Sequence, residues 1–209
     1  MTLVARNLSC FRGSQQLFRN LNVSLTQGEL LLIQGQNGTG KSTLLQIMAG
    51  LLSPLKGQIL WDEKIIAKNS HYYDCMSYLG HKDALKKDLT LDENIAMHLA
   101  LAQVSTTSQK QDEILSALAL SHQRTMLSQS LSAGQRRKTA LATLMLKARK
   151  LWIMDEPFTA LDTNSIKVVE DLLNTHLSQG GMIVMASHHN NSFTAATTTK
   201  VIHCHDQRI

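Results

Sequence analysis

Apolar positions along the chain change their period twice. From residue 2 to 34 they form short extended runs: Leu3-Val4-Ala5, Leu17-Phe18, the alternating Leu21-Asn22-Val23-Ser24-Leu25, and the unbroken Leu30-Leu31-Leu32-Ile33. Alternation with a period of two marks a half-buried strand, and an unbroken apolar run marks a strand covered on both faces. Residues 42–49 read as a helix closed by Leu52-Ser53-Pro54, and Gly57 to Ile66 as a β-hairpin around Asp62 to Lys64. From about 90 to 147 the spacing turns helical, with Leu91, Ile95 and Leu99 on one face, Ile114 and Leu118 on the next, and a helix break at Ser105 to Ser108. Extended apolar runs return at Leu151 to Met154 and Met182 to Met185, and Val201 to His205 reads as a C-terminal edge strand with Asp206-Gln207 as its turn. The expectation is one α/β domain over residues 1–209, with N-terminal strands, a mixed β core and a mostly helical insert at approximately 90–147.

Composition narrows the classes of function. With 209 residues and 43% hydrophobic content the chain can bury a substantial core. No stretch approaches the roughly 18–20 apolar residues that a helix needs to cross a bilayer. Arg6 and Arg12 interrupt what would be the apolar region of a signal peptide, so a cytosolic chain is expected. Cys10, Cys75 and Cys204 are scattered and read as reduced thiols rather than a disulfide framework or a zinc site. The net charge of +5 admits contact with polyanions, but the basic residues are dispersed and aromatics make up 4%. That balance reads as a solvated positive face, not a nucleic-acid surface.

The chemistry lies in three places. Gly35-Gln36-Asn37-Gly38-Thr39-Gly40-Lys41-Ser42 is a G-x-x-x-x-G-K-[ST] phosphate loop at a strand-to-helix junction. Its glycines let successive N–H groups turn toward phosphates, with Lys41 expected on the β- and γ-phosphates and Ser42 on Mg²⁺. Leu151-Trp152-Ile153-Met154 ends in Asp155-Glu156, which puts two carboxylates at the mouth of a buried strand. There Asp155 would hold Mg²⁺ and Glu156 would polarise the attacking water as general base. Leu131-Ser132-Ala133-Gly134-Gln135 is the third.

These segments, in this order and followed by a lone His188 after Met185-Ala186-Ser187, resemble the ATP-binding cassette (ABC) domain, a P-loop NTPase, over nearly the whole chain. The resemblance implies that the Leu-Ser-Ala-Gly-Gln signature acts in trans. Ser132, Gly134 and Gln135 of one copy would complete the ATP site of the other in a head-to-tail homodimer. It implies a catalytic set of Glu156, His188 and Lys41, with His188 contacting the γ-phosphate. ATP would be held by residues 35–42 and Thr43. Pro157 to Asp162 resembles the segment that links the two sites.

Three positions depart from the family pattern. Ala133 replaces the first glycine of the signature. His81 stands where the family has a glutamine that ligates Mg²⁺ and reports to the membrane partner; imidazole can still bond metal or water. Arg12, with Phe11 beside it, replaces the aromatic that stacks on adenine, so either Phe11 turns in or Arg12 stacks through its guanidinium plane.

Leu131 to Ala142 and Tyr78-Leu79-Gly80-His81 through Asn94 look like the ATP-binding subunits of cytochrome c maturation systems. That resemblance implies a peripheral subunit on the cytoplasmic face of a bacterial inner membrane, docked through residues 81–88 and the helical insert on separate membrane subunits. Its work would be haem export or haem release from a periplasmic carrier. An exporter of lipid, lipoprotein or drug, and a soluble iron–sulfur assembly ATPase, would carry the same motifs. His71, His98, His122, His176, His189, His203 and His205 are read as packing or surface residues, not as metal or haem ligands.

Overall fold

Two sheets share one core in the computed structural model, which describes residues 1–13, 15–188 and 193–204. His189, His205, Asp206 and Gln207 lie outside the described residues. The first sheet contains β1 (Thr2–Arg12), β2 (Gln15–Thr26), β4 (Lys56–Trp61) and β5 (Lys64–Ile65) in the order β2-β1-β4-β5, antiparallel throughout. The second contains β3 (Glu29–Gly35), β6 (Met76–Leu79), β7 (Leu151–Asp155), β8 (Met182–Ala186) and β9 (Thr198–Cys204) in the order β6-β7-β8-β3-β9, all parallel. Helices α1 (Lys41–Met48), α2 (Ser70–Cys75), α3 (Leu91–Leu101), α4 (Ser108–Ala117), α5 (Ala133–Leu146) and α6 (Thr163–Ser178) connect and cover these strands.

The parallel sheet sorts its side chains by parity, because successive residues of a strand face opposite sides. Leu31 and Ile33 of β3, Leu151 and Ile153 of β7, and Met182 and Val184 of β8 pack toward α1 and the antiparallel sheet. Leu30 and Leu32, Trp152 and Met154, and Ile183 and Met185 pack toward α3, α4, α5 and α6. Covering on both faces is why these strands read as continuous apolar runs. Helix α6 presents Val169, Leu173 and Leu177 to the second face, one residue per turn, and begins at an Asp162 cap that accepts from the Ser165 N–H at 2.8 Å.

Several expectations are refined. Leu17-Phe18 and Leu21 to Leu25 belong to one strand, β2, and β1 runs on to Arg12. Asn7 and Asn20 take left-handed backbone angles (φ 52 and 50), and the β1–β2 register shifts along this stretch. Such bulges break the alternation on which a reading by period depends. The hairpin turn is two residues, Asp62-Glu63 at φ 47 and 66, so Lys64 already pairs with Trp61. The break between α3 and α4 falls at residues 102–107, where Thr107 caps α4 by accepting from the Lys110 N–H. The last described strand starts at Thr198 and lies at the sheet edge against β3. Three elements go beyond the sequence reading: α2, β6 and α6.

The three cysteines are buried and unpaired with one another. His176 lies flat on Trp152, with ring centroids 3.6 Å apart and planes at 4°, and burial pushes its pKa down to about 4. Among the described residues, no helix is long and apolar enough to cross a membrane.

Candidate active site

The phosphate loop joins the end of β3 to α1 at the C-terminal edge of the parallel sheet, the edge where α/β sheets bind ligands. Gly40 is the N-cap of α1 at φ 98, an angle that a side-chain-bearing residue adopts only with strain, and no side chain caps the helix. The first N–H groups of α1 are therefore open to an anion, with the positive end of the helix behind them. Lys41 is 7% exposed and folds back over the loop, donating to the carbonyls of Gly35 (2.7 Å) and Gln36 (3.1 Å). Thr39 is buried, and its Oγ1 donates to the Gln36 carbonyl at 2.8 Å.

A cavity of about 350 Å³ opens over this loop, lined by Arg12, Leu17, Asn37, Gly38, Gly40, Lys41, Ser42, Thr43, His81, Asp155 and Glu156. It brings together the loop, the two acids that end β7 and the substituted His81. Of the two residues considered for the adenine position, Arg12 lines the cavity, whereas Phe11 is 44% exposed and is not among its lining residues. Asp155 is buried, and Glu156 follows at φ 50 with its N–H donating to the Ala186 carbonyl of β8 at 3.0 Å. Burial, with the Asp155 carboxylate acting in the same direction, pushes the Tyr78 phenol above its ordinary pKa.

Gly35 and Gln36 line an adjoining hollow with Ser187 and His188. His188 Nε2 lies 3.1 Å from Lys41 Nζ, 3.1 Å from Asn37 Oδ1 and 3.4 Å from Glu156 Oε1. One ring nitrogen facing an ammonium donor and two oxygen acceptors satisfies only one kind of partner in any one protonation state. Glu156 Oε1 is buried and has no hydrogen-bond partner among the described protein groups, with His188 Nε2 3.4 Å away. A carboxylate oxygen in this position can accept a water or hydroxyl proton.

The residues fit Mg²⁺ by their donor chemistry. Ser42 and Asp155 offer hard oxygens to one cavity, with His81 on its wall. Among the described residues, no group of three or more His, Cys, Asp or Glu side chains forms a metal cage. Mg²⁺ suits such a site, since it takes one or two protein oxygens and completes its shell with phosphate and water.

The signature residues are not in that cavity. Ser132, Ala133, Gly134 and Gln135 line a separate hollow with Lys138, Ala160, Leu161, Asp162 and Ser165. Ser132 caps α5, its Oγ accepting from the Gln135 N–H (3.1 Å) while Gln135 Oε1 accepts from the Ser132 N–H (2.8 Å). Gly134 is required by close approach: a Cβ there would lie 2.7 Å from the Ala160 carbonyl oxygen. Ala133, by contrast, sits inside the first turn of a regular helix, so the substituted position is compatible with the fold.

One residue of the site escaped the sequence reading. Arg137 is buried on α5 and bonds to the segments of both acids and of His81. Its signal was its place on the same helical stripe as Leu141 and Leu144, since a charge on a core-facing stripe must be paired.

A family profile described as ABC transporter matches residues 18–159. The cytochrome c biogenesis ATP-binding export protein CcmA of Nitrosospira multiformis is 40% identical over 201 residues, covering 96% of this chain and 98% of that protein. The protein of the same name from Haemophilus influenzae is 37% identical over 187 residues, covering 89% and 88%. Among solved structures, an ABC transporter ATP-binding protein of Pyrococcus furiosus superposes with a TM-score of 0.85 at 21% identity, covering 98% of each chain. A dimeric ATP-binding cassette bound to ADP and Pi superposes with a TM-score of 0.81 at 21% identity, covering 99% of this chain and 97% of that one. The phosphate loop, the paired acids and the capped signature helix, on this fold and with these relatives, place the chain in the ABC transporter family, in the branch of the cytochrome c biogenesis ATP-binding export proteins.

Proposed function

We propose that this chain is the ATP-hydrolysing subunit of a complex for c-type cytochrome biogenesis. It couples ATP turnover to haem export, or to haem release from a periplasmic carrier. The observation that carries the hydrolytic part is the buried Glu156 Oε1 3.4 Å from His188, in the cavity that Lys41 also lines. The cargo assignment is supported by relatives that span almost the whole chain.

In this reading the domain is the whole of residues 1–209. The N–H groups of the loop and Lys41 bind the phosphates, and Lys41 exchanges its two carbonyl partners for phosphate oxygens. Ser42 and Asp155 would hold Mg²⁺, with His81 bonding it or its water, and the ion would supply charge neutralisation at the phosphates. Glu156 accepts a proton from the attacking water, and His188 orients that water and the γ-phosphate. Arg12 lies against the adenine. Ser132, Gly134 and Gln135 complete the site of a second copy, so that ATP closes a homodimer and hydrolysis opens it. Loop residues 81–88 meet membrane subunits at the cytoplasmic face of the bacterial inner membrane. This loop is firmly built: His98 Nε2 is 3.0 Å from the Ala84 carbonyl oxygen, and the buried Asn94 side chain bonds both the N–H and the carbonyl of Lys86.

The test replaces the chain in its own cell with Glu156→Gln and stains membrane proteins for covalently bound haem. Loss of all c-type cytochromes with b-type haem proteins intact is the expected result. Normal c-type cytochromes would remove the cytochrome reading and leave an ATPase serving another cargo.

A further inference from the structure

Arg137 makes an unusually complete set of bonds. A guanidinium has five N–H donors in a fixed planar fork, and here each one has an acceptor. Nε donates to the Pro157 carbonyl (3.3 Å). One terminal nitrogen donates to the Gly80 carbonyl (3.0 Å) and to Asp83 Oδ1 (3.0 Å). The other donates to the carbonyls of Asp155 (2.5 Å) and Glu156 (2.9 Å). The residue is 3% exposed, and Asp83 is the one carboxylate that it meets in these bonds.

The geometry points to a function in turnover, not only in packing. Four of the five acceptors are main-chain carbonyls, so the guanidinium holds backbone rather than side chains. Three of them belong to consecutive residues, Asp155, Glu156 and Pro157. Glu156 sits there at φ 50, a conformation that is strained for a residue with a Cβ and has to be held by its surroundings. The other two acceptors, Gly80 and Asp83, flank His81. Arg137 itself is two residues beyond Gln135, in the second turn of the signature helix. One rigid side chain thus ties the strained backbone of the hydrolytic acid to the His81 loop on one side and to the signature helix on the other.

We infer that Arg137 is a positioning residue for ATP hydrolysis: it fixes the Glu156 backbone in register with the His81 loop, so that displacement of that loop is felt at the carboxylate. Arg137 is not among the residues that line the cavity over the phosphate loop, so it would act through the backbone it holds. Its loss leaves the phosphate loop intact but lets the carboxylate drift, and a misplacement of about 1 Å costs on the order of 100-fold in rate.

Steady-state ATP hydrolysis by the purified full-length chain tests this, with Tm measured on each variant. Arg137→Gln is expected to lower kcat about 30- to 100-fold while leaving KM for ATP within about twofold. Arg137→Lys, whose ammonium has three donors and no planar fork, recovers only part of that loss. Asp83→Asn removes a single ion pair, at the terminal nitrogen that does not bond residues 155 and 156, and lowers kcat about three- to tenfold with KM again unchanged. A folded Arg137→Gln protein with kcat within about threefold of the parent overturns the inference, and so does a loss that appears wholly in KM. Should Arg137→Gln not fold, Asp83→Asn decides alone, and parental kcat in that variant overturns the coupling. Glu156→Gln is run beside them: if it still turns over, the assignment of the hydrolytic acid fails, independently of Arg137.

Discussion

The phosphate-loop side and the signature side of this chain both end a loop at a helix N-terminus, yet the two ends are finished in opposite ways. At α1 the cap is Gly40, without a side-chain partner, and Lys41 bends back onto two loop carbonyls. At α5 Ser132 and Gln135 cap each other reciprocally, and the close approach of the Ala160 carbonyl at Gly134 fixes the turn from outside. The first end leaves the leading N–H groups of its helix without a side-chain cap, as an anion site requires. The second is already satisfied within its own chain, so what it can add to a phosphate is the Ser132 hydroxyl proton, the remaining N–H groups and the field of the helix. On the proposed reading, tight ATP binding at the first end and light contact at the second would suit a dimer that closes and opens in each cycle.

The largest effect expected is on the acid between these two ends. Glu156→Gln should lower turnover by about 10²–10⁴ while ATP still binds, and gel filtration with ATP should show a dimer. A variant that remains monomeric with saturating ATP breaks the comparison, because the signature end would then have no phosphate to meet.

Lys41→Ala strikes the phosphate-loop end alone. Losing the charge-assisted bonds of one cation should weaken ATP affinity by about 100-fold, read by equilibrium binding of a fluorescent ATP analogue. Retained affinity would mean that the open N–H groups of α1 suffice. Gly134→Asp strikes the other end, placing a side chain against the Ala160 carbonyl and a negative charge where phosphate would approach. Turnover should drop about tenfold or more from like-charge repulsion, with ATP affinity of the monomer nearly unchanged. Mixing the Lys41→Ala and Gly134→Asp chains should restore up to about a quarter of parental turnover, since half of the two-fold dimers are mixed and each has one intact composite site. No recovery on mixing would place both ends in one chain's own site. The smallest change is Ser132→Ala, where loss of the cap should cost about 1 kcal/mol and lower Tm by about 2–4 °C, as read by thermal unfolding.

Legibility followed the kind of constraint involved. The phosphate loop, Asp155-Glu156 and the start of α5 could be read directly, because phosphate, metal and helix caps each demand particular residues at particular spacings. The runs that became β3, β7 and β8 were equally plain, since strands covered on both faces are apolar throughout. By contrast, β1 and β2 are interrupted by left-handed asparagines, which erase the period of two. Strand β6 has four residues, Met76 to Leu79, too few to show a period. Helix α6 carries its signal in Val169, Leu173 and Leu177, one apolar residue per turn on an otherwise mostly polar segment.

By itself the sequence determined the chemistry on offer: an anion-binding loop, two acids at a strand end, a histidine after the next strand, and a self-capping signature helix. Such features depend on residues close together along the chain. Only the tertiary structure decided that Arg12 and not Phe11 lines the cavity over the phosphate loop, that Ser42, His81 and Asp155 share it, and that the signature lies in a separate hollow. It alone decided that the buried Arg137 gathers carbonyls from residues 80, 155, 156 and 157. Main-chain carbonyls are the same at every position of a sequence, so which of them a buried guanidinium will meet is settled by packing alone.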